Sequence, residues 1–202
     1  PRPFHAFRMF RKTFDLSASP AEAALHITAA DRYVLYVNGA CLGHGPARSV
    51  GPQWMSYDSH DLTPLLRAGR NVIAVLAYFH GCRNSWSANQ RAGLFAQMEW
   101  RADDGCRVVG TDASWRWREM NGFSRDVGLI NIYIGYVNEV FDGGADPADW
   151  MMPGFDDSGW AHAVPVTGKG PISQRSCWSC LEPRVTPLLR EQAVAPACVV
   201  RV

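Results

Sequence analysis

The sequence predicts an all-β fold: an antiparallel jelly-roll β-sandwich with short helical turns and an extended C-terminal arm. Three observations carry this expectation. No stretch of a dozen residues places apolar side chains at i, i+3, i+4 and i+7 without a Gly or Pro interrupting it. Short runs of strand character recur instead, each closed by turn residues. Gly (18) and Pro (13) are spread along 202 residues of which 19% are charged and 11% aromatic, a profile of a turn-rich globular chain and not of a disordered one.

The elements run in this order. Residues 10–16 alternate as a half-buried strand, 23–28 form a second and 33–37 (Tyr-Val-Leu-Tyr-Val) a third. Asn38-Gly39 comes next, the strongest short hairpin signal, because a type I′ turn needs positive φ at both central residues. Cys41-Leu42-Gly43 begins the return strand. Residues 54–61 lead into Asp61-Leu62-Thr63-Pro64-Leu65-Leu66, one helical turn capped by Asp61 or Thr63. After the turn at residues 68–71, residues 72–79 form the most apolar strand, expected at the centre of a sheet. Residues 94–100 turn through Asp103-Asp104-Gly105 into 107–109, and 115–118 alternate Trp with Arg, as a strand with one wet face does. Residues 133–141 read as a strand or a returning loop. From Pro165 onward prolines gather at 165, 171, 183, 187 and 196, so the expected division is a sandwich over 7–166 and a Pro-rich linker or arm over 167–202, directed at a further domain.

Bulk properties exclude several partners. A formal net charge of +1 gives no electrostatic case for nucleic acid or an anionic membrane. The best apolar run, 72–79, is far too short to span a bilayer. No secretory leader is visible, but the chain opens at Pro1, so compartment is not assigned. Six cysteines do not make a disulfide scaffold. Cys177 and Cys180 form one CxxC with only the distant Cys198 following. They read as linker or surface thiols and not as a zinc or redox site.

A self-contained active site is not legible. Glycoside hydrolysis uses two carboxylates facing each other across a sugar, and the pairs on offer are Asp58 with Asp61, Asp103 with Asp104, Asp156 with Asp157, and Glu139 with Asp142. Each reads more strongly as structure, since Asp beside Gly bonds its own backbone in turns. The histidines at 5, 26, 44, 60, 80 and 162 are scattered, and no Gly-x-Ser-x-Gly, His-Glu-x-x-His or phosphate-binding loop occurs. Calcium would need hard oxygen ligands, for which Asp31, Asn38 and Asp58 are candidates. No loop spaces acids as a ligand series, so no metal or other cofactor is expected.

Set in order, several stretches carry a resemblance. Phe10 to Phe14 opens the domain. Ala29 to Gly39, Gly45-Pro46-Ala47-Arg48-Ser49, Tyr57 to Thr63 and Leu66 to Val75 come after it, then Gly154-Phe155-Asp156-Asp157-Ser158-Gly159-Trp160. Together they resemble the N-terminal, galactose-binding-like sandwich of bacterial α-L-rhamnosidases, over about residues 7–166. The resemblance implies a jelly roll that precedes further β domains and an (α/α)6 barrel, the barrel holding the catalytic carboxylates. It therefore implies a non-catalytic accessory domain of a glycoside hydrolase, partnered by the rest of the parent chain. Some related sandwiches bind rhamnose with calcium, and others only buttress the barrel. A stand-alone lectin-like carbohydrate-binding module is the alternative.

Sugars stack on exposed aromatic faces while planar polar groups bridge their hydroxyls. Trp54, Trp86 and Trp115 lie in or beside polar loops; Trp100, Trp117, Trp150 and Trp160 read as core or edge packing. The densest mixture runs from 80 to 91: His80, Arg83, Asn84, Trp86, Asn89 and Arg91 are the candidate contacts for a rhamnose-containing carbohydrate. On these residues alone, an interdomain contact or a solvated loop with a half-buried Trp86 carries somewhat more weight. Arg48 and Tyr57 are expected to be structural, with Arg48 pairing Asp58 or Asp61.

Overall fold

The longest pairing in the molecule joins the first strand to the most apolar one. In the computed structural model, which describes residues 5–48, 54–81, 92–102, 105–131, 136–166, 180–188 and 194–195, β1 (Ala6–Leu16) runs antiparallel to β6 (Gly69–Phe79) along its whole length, from Ala6↔Phe79 to Leu16↔Gly69. The strand thus begins four residues before the expected Phe10. β3 (Arg32–Val37) takes the other side of β6 and β4 (Ala40–Gly45) the sheet edge. β9 (Arg116–Glu119) and β12 (Ala161–His162) extend the sheet beyond β1. The second sheet has the order β13-β5-β2-β7-β8, from β2 (Ala23–Ala29), β5 (Met55–Asp61), β7 (Leu94–Ala102), β8 (Gly105–Gly110) and β13 (Leu181–Pro183). All these pairs are antiparallel except β13 with β5. A small ribbon of β10 (Leu129–Asn131) and β11 (Tyr136–Val137) stands apart. The chain is an antiparallel jelly-roll β-sandwich, and among the described residues no helix is long and apolar enough to cross a membrane.

Alternation decides what each strand buries. Leu25 and Ile27 of β2, Tyr33, Leu35 and Val37 of β3, Ile73 and Val75 of β6, and Met98 of β7 meet between the sheets with Leu62 and Trp115. The opposite face of β6 and β1 is also covered: Met9, Val72 and Ala74 pack under Trp150 and Trp160. Covering on both sides explains why residues 72–77 read as one apolar run and do not alternate.

Turn chemistry fixes the register. Asn38 (φ 51°) and Gly39 (φ 87°) form the expected hairpin turn. The Asn38 side chain does more than tolerate the turn. Its Nδ2 donates to Leu65 O (2.9 Å) and Asn71 Oδ1 (2.8 Å), and its Oδ1 accepts from Val72 N (2.9 Å), tying this turn to the one before β6. Asp61 Oδ1 accepts from Thr63 N (2.9 Å), and Leu66 N reaches Leu62 O (3.1 Å), closing the expected single helical turn.

The two ends of the sandwich differ. The β3–β4 connection, at one end, is the two-residue hairpin turn. The other end holds the start of β1, the tight β2–β3 link, and the longer β4–β5 and β6–β7 connections. Ala30 N bonds Gly93 O (3.0 Å) and His5 N bonds His80 O (3.1 Å) there, so strands of both sheets terminate together.

Candidate functional site

The long-connection end is built around Tyr78. Its hydroxyl lies 2.9 Å from His80 Nδ1 and 3.2 Å from His5 Nδ1. Both imidazoles thus meet one phenol oxygen, and a ring that donates to it carries its proton on Nδ1. Both imidazoles are buried, and burial holds both below the ordinary histidine range; Glu139 opposes this at His5 and Asp31 at His80. Asp31 Oδ2 also accepts the His80 backbone N–H (2.8 Å), closing the end of β6 onto the β2–β3 link. An aromatic series leads outward from this point. Tyr78 meets Phe7 at 4.7 Å, Phe7 stacks on Phe123 at 3.8 Å and 12°, and Phe123 meets Phe141, itself 52% exposed, at 4.7 Å. The guanidinium of Arg32 sits 5.9 Å from the Tyr78 ring centre.

Of the expected contact residues, His80 is placed here as the buried base of the loop. Arg83, Asn84, Trp86, Asn89 and Arg91 lie outside the described residues. His5 and Tyr78, which sequence reading does not single out, complete the arrangement. Nothing local marks them: Tyr78 sits in an apolar strand and His5 at its partner's far end, joined only by the β1–β6 register.

A second polar group lies between the sheets. The Asp58 carboxylate, wholly buried on β5, accepts from the Tyr33 hydroxyl and from Arg184 Nε. Since the Tyr33 proton is committed to Asp58, His60 Nε2, 3.2 Å from the same oxygen, must be the donor in that contact. Burial, then the bond to Asp58, pushes the Tyr33 phenol far up; burial lowers His60. Bonding to Asp58 raises Arg184. Gly45 closes the group, because a Cβ there would fall within 1.8 Å of Asp58 Oδ2. A cation on Asp58 is thus Arg184, 126 residues away and not singled out by the sequence.

Several other carboxylates on the described residues have structural tasks. Asp61, Asp112, Asp142 and Asp156 each accept the backbone N–H two residues on, at 2.8–2.9 Å. Asp157 pairs with Arg11 at 2.8 Å. Asp146 accepts the N–H groups of Asn121 and Gly122, both at 2.7 Å. Asp103 and Asp104 lie outside the described residues. Trp115 is a correction, since its sequence neighbours group it with loop aromatics near a ligand. It is 2% exposed in the inter-sheet core, its indole N–H donating to Gly110 O (3.0 Å). The Asp112–Ser114 turn directs the ring inward. Trp54 is half-buried, and Trp150 and Trp160 are core, as expected.

Residues 18–178 match the family described as the alpha-L-rhamnosidase N-terminal domain. The chain belongs to this family. An alpha-L-rhamnosidase of Formosa agariphila is 27% identical over 176 residues, covering 81% of this chain and 18% of that protein. Among solved structures, a GH78-family rhamnosidase of Bacillus sp. GL1 is 39% identical, covers 92% of this chain and 19% of its own, and has a TM-score of 0.75. A lectin of Pleurotus ostreatus shares the fold at a TM-score of 0.59 and 24% identity, over 90% of this chain and 42% of the lectin. This rhamnosidase N-terminal domain spans about a fifth of the length of the two rhamnosidases.

Proposed function

We propose that this sandwich is a non-catalytic accessory domain of an α-L-rhamnosidase-like glycoside hydrolase. In this reading residues 7–166 support the catalytic barrel, residues 167–202 lead toward a downstream domain, and the end carrying residues 80–91 contacts a rhamnose-containing sugar. The observation that carries the non-catalytic reading is the use of the carboxylates. Asp58, Asp61, Asp146, Asp156 and Asp157 are held by Arg, Tyr or backbone N–H groups, which leaves no free pair among them to face across a glycosidic bond. Support for the sugar contact comes from the Tyr78–His80 base, which lies beside the outward aromatic series and from which the chain continues into residues 82–91. Connections carried on a rigid scaffold are where binding residues concentrate.

The chain is expected to release no nitrophenol from p-nitrophenyl α-L-rhamnoside. Titration with rhamnose, galactose and glucose is expected to give saturable amide shifts confined to residues 80–91, with Kd of roughly 0.1–1 mM. These shifts should vanish in Trp86→Ala. Turnover abolished by changing a carboxylate of this chain would refute the non-catalytic reading. Silence of the loop at tens of millimolar sugar would leave support of the barrel as the whole function.

A further inference from the structure

The segment expected to be a linker contributes a strand and the ion-pair partner of a fully buried carboxylate. Cys180 O accepts from Met55 N (2.9 Å), Leu181–Pro183 run parallel to Met55–Tyr57, and Arg184 N donates to Tyr57 O (2.9 Å). Pro183 is tolerated because β13 is an edge strand paired on one side only. Three residues of parallel pairing are weak in themselves. The anchor is Arg184, whose side chain is 14% exposed and whose Nε reaches the buried Asp58 carboxylate that Tyr33 holds from the other sheet. A carboxylate taken out of water needs its cation and hydrogen bonds, so releasing the segment would strand Asp58. Gly45 leaves the space that this geometry needs.

We infer that the β5 edge and Asp58 form a strand-acceptor site that residues 180–184 occupy as a fixed coupler. Backbone pairing sets the register and the Arg184–Asp58 ion pair locks it. Beyond Arg184 the polypeptide therefore departs from the sandwich in one set direction, with Val185 (97% exposed) and Leu188 turned outward. The inference deepens the accessory-domain reading, since a rigid exit is what holds the sugar-facing end at a constant position relative to a downstream domain. It rests on that reading only for the identity of the domain beyond the arm.

The test is amide hydrogen exchange on the 202-residue chain alone, without sugar or partner, so its outcome is independent of the rhamnoside and titration experiments. In the unaltered protein the Met55 and Arg184 amides should be protected. In Arg184→Gln they should exchange at least about tenfold faster, the factor that 1.4 kcal/mol gives, while Val72 to Val75 of β6 keep their protection. Arg184→Lys should restore protection in part, because an ammonium retains the charge without the planar fork. If Arg184→Gln unfolds the domain, the paired variant Asp58→Asn with Arg184→Gln removes the buried charge together with its partner, and should fold with these two amides still exposed. Met55 and Arg184 amides unprotected in the unaltered protein, or equally protected in a folded variant lacking Arg184, would overturn the inference.

Discussion

Replacing Arg11 by Met tests how the outer face of the first sheet is closed. Arg11 lies on β1, has no exposed surface, and faces the segment carrying Trp150 and Trp160. Its Nε meets Asp157 Oδ2 at 2.8 Å; Nη1 donates to the carbonyls of Trp150 and of Met152 (3.2 Å), and Nη2 to that of Phe155 (3.3 Å). The guanidinium carbon also sits 5.0 Å from the Phe155 ring centre. Met fills similar volume but leaves the carboxylate and three carbonyls without this donor. Removing one partner of such a buried pair costs about 3–5 kcal/mol. For a domain of this size that corresponds to a fall in Tm of about 6–20 °C. Chemical denaturation followed by Trp fluorescence measures it, and near-UV circular dichroism should lose the signal of the Trp150–Trp160 stack (6.4 Å, 29°). The adjacent carboxylates provide an internal control. Asp157→Asn should destabilise clearly, whereas Asp156→Asn, which retains the acceptor used by Ser158 N (2.9 Å), should leave the midpoint unchanged. A loss below about 1 kcal/mol for Arg11→Met would show that the Trp packing alone closes this face, contrary to the expected cost of an unpaired buried charge.

Gly39→Val is expected to destabilise by about 1–3 kcal/mol, because a β-branched residue is strained at positive φ. The φ here is 87°, and the new Cβ would lie 2.5 Å from Met152 Sδ. An unchanged denaturant midpoint would refute the turn assignment. Stability should also fall on acidification below about pH 6.5. His5, His60 and His80 titrate below their ordinary value of 6.5 when folded, mainly through burial, so the unfolded chain binds more protons in that range. The slope is bounded by about 1.4 kcal/mol per pH unit for each histidine. A Tm that stays flat or rises between pH 7 and 5 would contradict the sign.

What could be read from the sequence was local. The Asn38-Gly39 turn, the Asp61 cap and the alternation of residues 23–28 and 33–37 each depend on neighbours within a few positions. The apolar run at 72–79 announced a central strand for the same reason. The interactions that close the fold were not legible, because their partners are remote. Arg11, in the run Phe-Arg-Met-Phe-Arg-Lys-Thr-Phe, looks like a wet-face residue; it is buried by a segment 139 residues later. Trp115 stands after Asp-Ala-Ser, which reads as a polar loop, yet the turn at Asp112 delivers its ring to the core. β13 is three residues inside a Pro-rich stretch, below the length at which alternation can be recognised. Of the candidate site, composition singles out the 80–91 segment, of which residues 82–91 lie outside the described residues. The His5–Tyr78–His80 base depends on strand register that composition does not encode.

These remote contacts share a physical logic. A two-sheet sandwich buries apolar residues wherever strands alternate, and that burial is non-directional, so it does not select which connection crosses which end. Direction comes from polar groups that cannot be left unpaired. Arg11 selects the 150–157 segment as the cover of the outer face, Asp58 selects the 180–184 segment as the edge of the second sheet, and Asp31 with Tyr78 selects the path by which β6 ends. Each joins strands or segments that strand pairing alone would leave free to slip. The apolar core therefore supplies the drive to fold, and a few buried charged and phenolic groups specify how the connections lie over it. Two of these groups are near the long-connection end, where Tyr33 and His80 flank the β2–β3 link, so buried polar groups also fix the strand ends beneath the surface proposed to meet sugar.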